Sequence, residues 1–286
     1  MKADPRFVRQ PREFWAHVRT ISQEVGYTDR RTNEIRIPKL DEIREEFRRL
    51  GLSTAQIADD VGELTPFGRL LFAYFIHRAN ILNHTVQGQL MDKAAAQAEF
   101  KRLQARFKPK CPLPMNKQKG DKKNYAFMTC IVNMLVQANI GDAPCDYDPR
   151  SLTTITQNAK PLRTLARRVD GAFPSVVNPV GIWEIKEYYY TTTFGSRVAD
   201  GVYETLLDGM ELEELEAATG RKVFHLLILD DYFTWWKCGR SYLCRMIDML
   251  HMGFVDEVIF GREVLTRLPQ VVREWVTVYG GLPKNQ

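Results

Sequence analysis

The sequence predicts an α/β fold, a mixed sheet flanked by helices, preceded by a helical N-terminal region. Two short apolar stretches, residues 223–229 and 255–260, have the composition of strands buried in a sheet. Segments with apolar residues at helical spacing lie before, between and after them. Strands that alternate with helices in this way pack as a sheet covered by helices.

The N-terminal region is predicted to consist of short helices. Residues 41–50 have an apolar face and end at a glycine, residues 53–62 would form a second helix, and residues 65–82 a third. Short helices joined by glycine turns are typical of helix-turn-helix domains, although many helical bundles share this spacing. If the region reads DNA, Gln56 is a candidate contact.

A basic, proline-containing stretch at residues 106–123 interrupts the helical pattern and is predicted to be a loop. It is either a solvated linker or a flexible clamp on the phosphate backbone. The helix that follows it is apolar enough to belong to the core. We place the helical region at residues 1–145 and the sheet-containing region at residues 146–286. The candidate phosphate contacts in the loop are Lys117, Lys119, Lys122 and Lys123.

A strand hairpin is predicted between residues 168–174 and 182–190, because both are rich in strand-forming residues and a short turn-forming segment joins them. Side chains alternate between the two faces of a strand, so Glu184 and Lys186 share one side. Asp170 lies on the other arm of the hairpin. We therefore expect the carboxylates of Asp170 and Glu184 to converge.

Two carboxylates and a strand carbonyl, that of Ile185, form a hard oxygen site suited to Mg²⁺. A lysine beside such a site can position a water nucleophile or help to deprotonate it. The competing interpretation is a solvated strand face carrying an ordinary ion pair, since a Glu-x-Lys pattern is short enough to occur by chance.

The spacing of Asp170 and Glu184-Ile185-Lys186 resembles the active-site signature of the PD-(D/E)xK nuclease superfamily, which includes many type II restriction endonucleases. Val169 departs from the proline of that signature. The resemblance implies a restriction-endonuclease-like core, with residues 151–167 as the helix ahead of the first acidic strand. It also implies that Asp170 and Glu184 ligate Mg²⁺ and that Lys186 supports phosphodiester hydrolysis.

The segment after the hairpin is rich in hydroxyl groups and leads into two predicted helices, residues 197–207 and 210–218. Ser196 is expected to cap the first of them. A helix N-terminus favours anions, so Thr193 and Ser196 are candidate phosphate contacts. Ordinary capping by Ser196 alone is the alternative.

These patterns favour a Mg²⁺-dependent DNA endonuclease of the type II restriction kind. Cutting two strands makes a homodimer the default expectation, and a companion DNA methyltransferase is a possible partner in the same system. The alternatives are a non-catalytic DNA-binding regulator and a related nuclease that acts on RNA or on branched DNA.

Composition excludes other classes of protein. The formal net charge of +5 is compatible with a polyanionic partner. The five cysteines are scattered and odd in number, so neither a zinc site nor a disulfide framework is indicated. No glycine-rich nucleotide loop is present. The basic N-terminus lacks the apolar core of a signal peptide, and we expect a cytoplasmic protein with no membrane association.

Overall fold

The computed structural model describes the chain apart from residues 9, 30, 33, 117–123, 191–194 and 283–286. Wider π-helical turns follow α3 and β6, and a short 3-10 turn precedes α9. The helices are α1 (Arg12–Val25), α2 (Leu40–Arg49), α3 (Pro66–Asn80), α4 (Gln87–Gln89), α5 (Lys93–Phe107), α6 (Phe127–Gln137), α7 (Ser196–Thr219), α8 (Arg240–Met252) and α9 (Val264–Gly280). The strands are β1 (Asp146–Tyr147), β2 (Thr154–Gln157), β3 (Lys160–Thr164), β4 (Gly171–Phe173), β5 (Gly181–Glu187), β6 (Phe224–Asp230) and β7 (Glu257–Phe260).

The described strands form a five-stranded mixed sheet in the order β1, β4, β5, β6, β7, and β2 and β3 form a separate hairpin. Strands β4 and β5 are antiparallel, whereas β5, β6 and β7 run parallel to one another. The predicted mixed sheet flanked by helices is confirmed, and so is the order from the β4–β5 hairpin to α9.

The central strands are apolar on both faces because helices cover both sides of the sheet. Leu226 and Ile228 of β6 belong to a core that also contains residues of α5, α6 and α9. The alternate residues Leu227 and Leu229 pack with residues of α7 and α8 on the other side. A continuous apolar run is therefore the expected sequence for this strand.

The N-terminal helices have their own apolar core, formed by α1, α2 and α3. A buried ion pair joins this core to α8: Arg78 Nη1 lies 3.0 Å from Asp248 Oδ1. The Tyr74 hydroxyl donates to the same oxygen (2.5 Å), and Arg78 also donates to the hydroxyl of Ser22 (2.9 Å). The N-terminal helices thus pack against the sheet-containing region through a buried, hydrogen-bonded ion pair.

The predicted second N-terminal helix, residues 53–62, is wrong. The segment forms turns, because the Asp59 carboxylate accepts the backbone amides of Val61 (3.1 Å) and Glu63 (2.8 Å) and reverses the chain. The predicted helix-turn-helix therefore lacks its second helix. Gln56 lies exposed in this turn and not on a recognition helix.

The predicted helix at residues 151–167 is also wrong, because β2 and β3 form a hairpin there. The two turn residues, Asn158 (φ 51°) and Ala159 (φ 61°), adopt the left-handed backbone that a tight hairpin turn requires. Pro161 lacks the amide hydrogen that a helix interior needs, whereas it is tolerated in an edge hairpin.

Helix α7 is continuous, whereas two helices were predicted across residues 197–218. Gly209 lies inside it, packed against Phe254. A Cβ atom at this position would lie 2.5 Å from Phe254 Cβ, which is too close. This glycine therefore permits close packing and does not end a helix. Ser196 is the first helical residue, and Gly195 occupies the N-cap position that was predicted for Ser196.

Among the residues described, no helix combines the length and the apolar character needed to cross a bilayer.

Candidate active site

The candidate site lies where β5 runs beside the residue that precedes β4. Gly171 pairs with Trp183 in the antiparallel ladder, so Asp170 stands opposite Glu184. The Asp170 amide donates to Glu184 Oε1 (3.2 Å), and the Ile185 amide donates to Asp170 Oδ2 (2.7 Å). Each carboxylate is thus held by the backbone of the opposite strand, and the expected convergence of Asp170 and Glu184 is observed.

A glycine beside Asp170 makes this close pairing possible. A Cβ atom at Gly171 would lie 1.9 Å from Trp183 Cζ2. The Trp183 indole packs across the glycine and stacks on Trp275, with ring centroids 6.1 Å apart. The aromatic packing beneath the hairpin therefore fixes its register, and the register brings the two acidic residues together.

Lys186 lies on the same side of β5 as Glu184, as the alternation of strand side chains predicts. Its Nζ atom is 3.1 Å from Glu184 Oε2 and 2.5 Å from Glu204 Oε2. Glu184 is fully buried, and Lys186 is only 6 % exposed. The ion pair is therefore not on the solvated strand face that the competing interpretation required.

Helix α7 and the loop before β4 supply three further charged groups that sequence analysis missed. Arg167 Nη2 donates to Glu184 Oε2 (3.0 Å) and contacts Glu204 Oε2 (3.4 Å), while Arg167 Nη1 lies 2.5 Å from Asp208 Oδ2. Glu204 and Asp208 are four residues apart and so share one helix face. That spacing was a usable signal, but the prediction ended the helix at residue 207.

The cluster contains more acidic than basic groups. With every group ionised, two cations face four carboxylates, an excess of two negative charges. Asp208 is fully buried, and its Oδ1 atom has no hydrogen-bond partner within the described part of the chain. Buried polar atoms are almost always bonded, so this oxygen is available for a proton, a water or a cation. The six groups are Arg167, Asp170, Glu184, Lys186, Glu204 and Asp208.

Burial and the neighbouring charges shift the pKa values of the acidic groups in different directions. Burial raises the pKa of Asp170 to about 6, and the Glu184 charge acts in the same direction. Burial raises the pKa of Asp208 to about 7 against the opposing effect of Arg167. Burial also acts to raise the pKa of Glu184, but Lys186 and Arg167 outweigh it and the pKa is lowered. Glu184 therefore stays charged as the pH falls, whereas Asp170 takes up a proton near pH 6.

Lys186 is held in its charged form. Burial acts to lower the pKa of the ammonium group, but the charges of Glu184 and Glu204 outweigh it and the pKa is raised. An ammonium cation donates hydrogen bonds and cannot accept a proton. In this arrangement Lys186 can orient a water molecule or stabilise negative charge, and it cannot serve as a general base.

The donor set suits a hard divalent cation. Asp170 and Glu184 offer carboxylate oxygens from neighbouring strands, and Mg²⁺ prefers such oxygens while keeping several of its waters. Within the described residues, no group of three or more His, Cys, Asp or Glu side chains is arranged to hold a metal. A cation at Asp170 and Glu184 would therefore complete its coordination with water, backbone carbonyl or substrate oxygens.

The described structure places only two of the predicted DNA contacts, Ser196 and Gln56. The four loop lysines, Lys117, Lys119, Lys122 and Lys123, and also Thr193, lie outside the described residues. Ser196 opens α7. Gln56 lies in the exposed turn before α3. These residues stay predictions for DNA binding.

The fold is that of a mixed α/β protein, and comparison with known family models shows which family the chain belongs to. Residues 91–275 match the family model described as a domain of unknown function, DUF7687, and residues 1–85 match a second model of the same description, DUF7690. The first match covers more than half of the chain, so the protein belongs to the DUF7687 family. No curated protein matches the chain, and no solved structure does. The whole charged cluster lies within the DUF7687 segment.

Proposed function

We propose that this protein is a Mg²⁺-dependent endonuclease of the PD-(D/E)xK type that hydrolyses phosphodiester bonds in double-stranded DNA. The observation that carries the proposal is the position of Asp170, Glu184 and Lys186 on one side of the β4–β5 hairpin. The first two are held against each other by backbone hydrogen bonds, and Lys186 contacts Glu184 at 3.1 Å.

The charge of the cluster favours a functional role over a purely structural one. Burying ions costs several kcal/mol per ion, and a buried network contributes stability only when its charges are well paired. Among the described residues, Asp208 keeps an unbonded oxygen, and four carboxylates share two cations. With every carboxylate ionised, an added divalent cation would neutralise the excess of two negative charges.

The residues have distinct roles in this proposal. Asp170 and Glu184 would hold Mg²⁺ together with the carbonyl of Ile185, and the bound ion would lower the pKa of a water and neutralise phosphate charge. Lys186 orients the attacking water and stabilises charge on the phosphate. Glu204 holds Lys186 in place through the 2.5 Å ion pair.

Arg167 is a second cation beside the site. Its guanidinium contacts Glu184 at 3.0 Å and Asp208 at 2.5 Å. A planar guanidinium bonds carboxylates and phosphates through the same fork of donors. Arg167 therefore positions the Glu184 carboxylate.

The substrate and the assembly rest on the sequence resemblance. Sequence-specific cleavage of both strands would employ a homodimer, and a DNA methyltransferase would protect the host sites. The restriction-endonuclease-like core corresponds in this proposal to the sheet with α7, α8 and α9. A non-catalytic regulator has less support, because the helix-turn-helix on which it depended is replaced by a turn at residues 53–62.

Incubation of plasmid DNA with the protein tests the proposal. In Mg²⁺ the protein should convert the plasmid to discrete fragments, and in EDTA it should leave the plasmid intact. Asp170→Asn should abolish cleavage because the amide removes a charged metal ligand. Asp142→Asn is the matched control, since Asp142 is an exposed aspartate outside the cluster.

Smearing in place of discrete fragments would indicate a nonspecific nuclease. Cleavage of an RNA of the same sequence would indicate that the protein acts on RNA. The proposal fails if neither nucleic acid is cut in Mg²⁺, or if Asp170→Asn cuts at the parental rate.

A further inference from the structure

A cleft of about 720 Å³ lies between the N-terminal helices and the sheet-containing region, apart from the charged cluster. This volume is within the range of about 300–1,000 Å³ that small-molecule sites occupy, and boundaries between folding units are common places for such sites. The wall contributed by residues 1–85 includes Arg19, Tyr27 and Leu52, and the opposite wall includes Tyr203, Leu206 and Arg245.

The acidic groups in the cleft wall are already paired with arginines. Glu24 forms an ion pair with Arg49. Asp248 forms its buried pair with Arg78 at 3.0 Å. Neither carboxylate is therefore available to a cationic ligand without breaking an existing pair.

The basic groups in the wall have no carboxylate partner among the described residues. No carboxylate of the described residues lies within ion-pair distance, 4.0 Å, of Arg19 or Arg245. Among the described residues, Arg19 donates only a weak bond, to the sulfur of Met252 (3.4 Å). The guanidinium of Arg245 lies 5.6 Å from the centroid of the Tyr27 ring. The cleft therefore offers two cations to an anion.

Flat aromatic and apolar side chains lie beside these cations. Tyr203 is 60 % exposed and Leu52 is 47 % exposed, so a ligand in the cleft can contact both. Tyr27 is only partly buried. Tyrosine rings and arginine planes are the groups on which nucleobases stack, and arginines bind phosphates.

We propose that this cleft binds a nucleotide unit, with its phosphate at Arg19 and Arg245 and its base stacked on Tyr203. The unit is either a free nucleotide or an unpaired nucleotide within a nucleic-acid strand, because both present the same phosphate and base. The proposal does not depend on nuclease activity.

Binding measurements in EDTA, with the full-length protein, test this assignment. The probes are AMP and UMP, followed by calorimetry, and a fluorescein-labelled oligothymidylate, followed by anisotropy. Tyr203→Ala and Arg19→Glu change exposed side chains, so both variants should fold. Each should weaken binding by about fivefold to a hundredfold, the effect of losing one stacking or phosphate contact.

Two variants control for surface changes in general. Leu207→Ala alters an exposed residue of α7 that does not line the cleft, and Arg12→Glu reverses an exposed charge on α1 away from it. Both should bind like the parent.

The pattern of binding decides the source of the nucleotide. Mononucleotide binding that the cleft variants weaken supports a free nucleotide, whereas weakened binding of the oligothymidylate alone supports a unit of a strand. The assignment is overturned if neither probe binds, or if Tyr203→Ala and Arg19→Glu bind like the controls. Lys186→Ala protein should bind the probes like the parent. A loss of cleavage can therefore be distinguished from a loss of probe binding at the cleft.

Discussion

Lys186 of strand β5 and Glu204 of helix α7 form an ion pair with 2.5 Å between Nζ and Oε2. The same Nζ atom lies 3.1 Å from Glu184. One lysine is thus held between a carboxylate of its own strand and a carboxylate of the helix that covers the sheet. Any change in the position or charge of Glu204 is therefore transmitted directly to the lysine.

Lys186→Ala should lower DNA cleavage by about two to four orders of magnitude, the range for losing a positioned catalytic group. DNA binding should largely survive, because the change removes one buried cation. Gel shift in Ca²⁺ and single-turnover cleavage in Mg²⁺ measure the two effects separately. Lys160→Ala, at an exposed lysine of β3, is the control. Parental cleavage by Lys186→Ala would falsify the role assigned to this lysine.

Glu204→Gln should move the pH dependence of cleavage. The Glu204 charge helps to raise the pKa of Lys186, so its removal lowers that pKa. The alkaline limb of the single-turnover pH profile, where the lysine loses its proton, should therefore move to lower pH. Glu213→Gln, at an exposed glutamate of the same helix, should leave the profile in place. An identical profile for both variants would show that Glu204 does not act on Lys186.

The parts of the site that sequence analysis predicted are those that depend on local geometry. The side chains of Glu184 and Lys186 share a face because strand residues alternate, and Asp170 reaches them because a short link closes the hairpin. Arg167 and Asp208 arrive from other elements, and their meeting depends on how α7 packs against the sheet. No local pattern contains that information.

Two errors in the predicted fold depend on features that no apolar periodicity indicates. The segment at residues 151–167 folds as a hairpin because Asn158 and Ala159 adopt positive φ angles that no periodicity indicates. Helix α7 continues through Gly209 because Phe254, far away in sequence, packs against it. The strands at residues 223–229 and 255–260 were predictable because their apolar patterns are strong and extend over several residues.

Asp208→Asn should change the pH dependence of folding stability. Because burial raises the pKa of Asp208 from 3.8 to about 7, the folded protein keeps a proton that the unfolded chain loses. The stabilisation from this group is therefore present at low pH and is lost as pH rises from about 4 to about 7.

Urea denaturation of the parent and of Asp208→Asn across this pH window measures the effect. The difference in free energy of unfolding between parent and variant should fall by a few kcal/mol as pH rises through this window. One pKa unit corresponds to about 1.4 kcal/mol. Asp142→Asn is the control, at an exposed site. A constant difference between parent and Asp208→Asn would mean that Asp208 is ionised throughout.

Mg²⁺ should raise the melting temperature of the protein, and the increase should shrink at acid pH. A metal ion competes with protons for a carboxylate, and the pKa of Asp170 is raised to about 6. Saturating Mg²⁺, at about 100 times its dissociation constant, would stabilise the folded state by about 2.7 kcal/mol. Thermal denaturation with and without Mg²⁺, at pH values on both sides of 6, checks this. Asp170→Asn should show no increase, and an equal increase in that variant would place the ion elsewhere.

Arg78→Ala should strongly destabilise the protein because it leaves the buried Asp248 carboxylate without its cation. Arg78 is 2 % exposed, and its pair with Asp248 joins α3 to α8. Breaking a buried pair by removing one partner typically costs about 3–5 kcal/mol. Urea denaturation measures the loss, with Arg48→Ala, at an exposed arginine of α2, as the control.

The double variant Arg78→Met with Asp248→Leu distinguishes an unpaired charge from lost packing. Replacing both partners by apolar side chains removes the buried charge, so the double variant should be more stable than Arg78→Met alone. If the double variant is as unstable as the sum of the two single changes, the contribution of Arg78 comes from its packing and its bond to Ser22, and not from its charge.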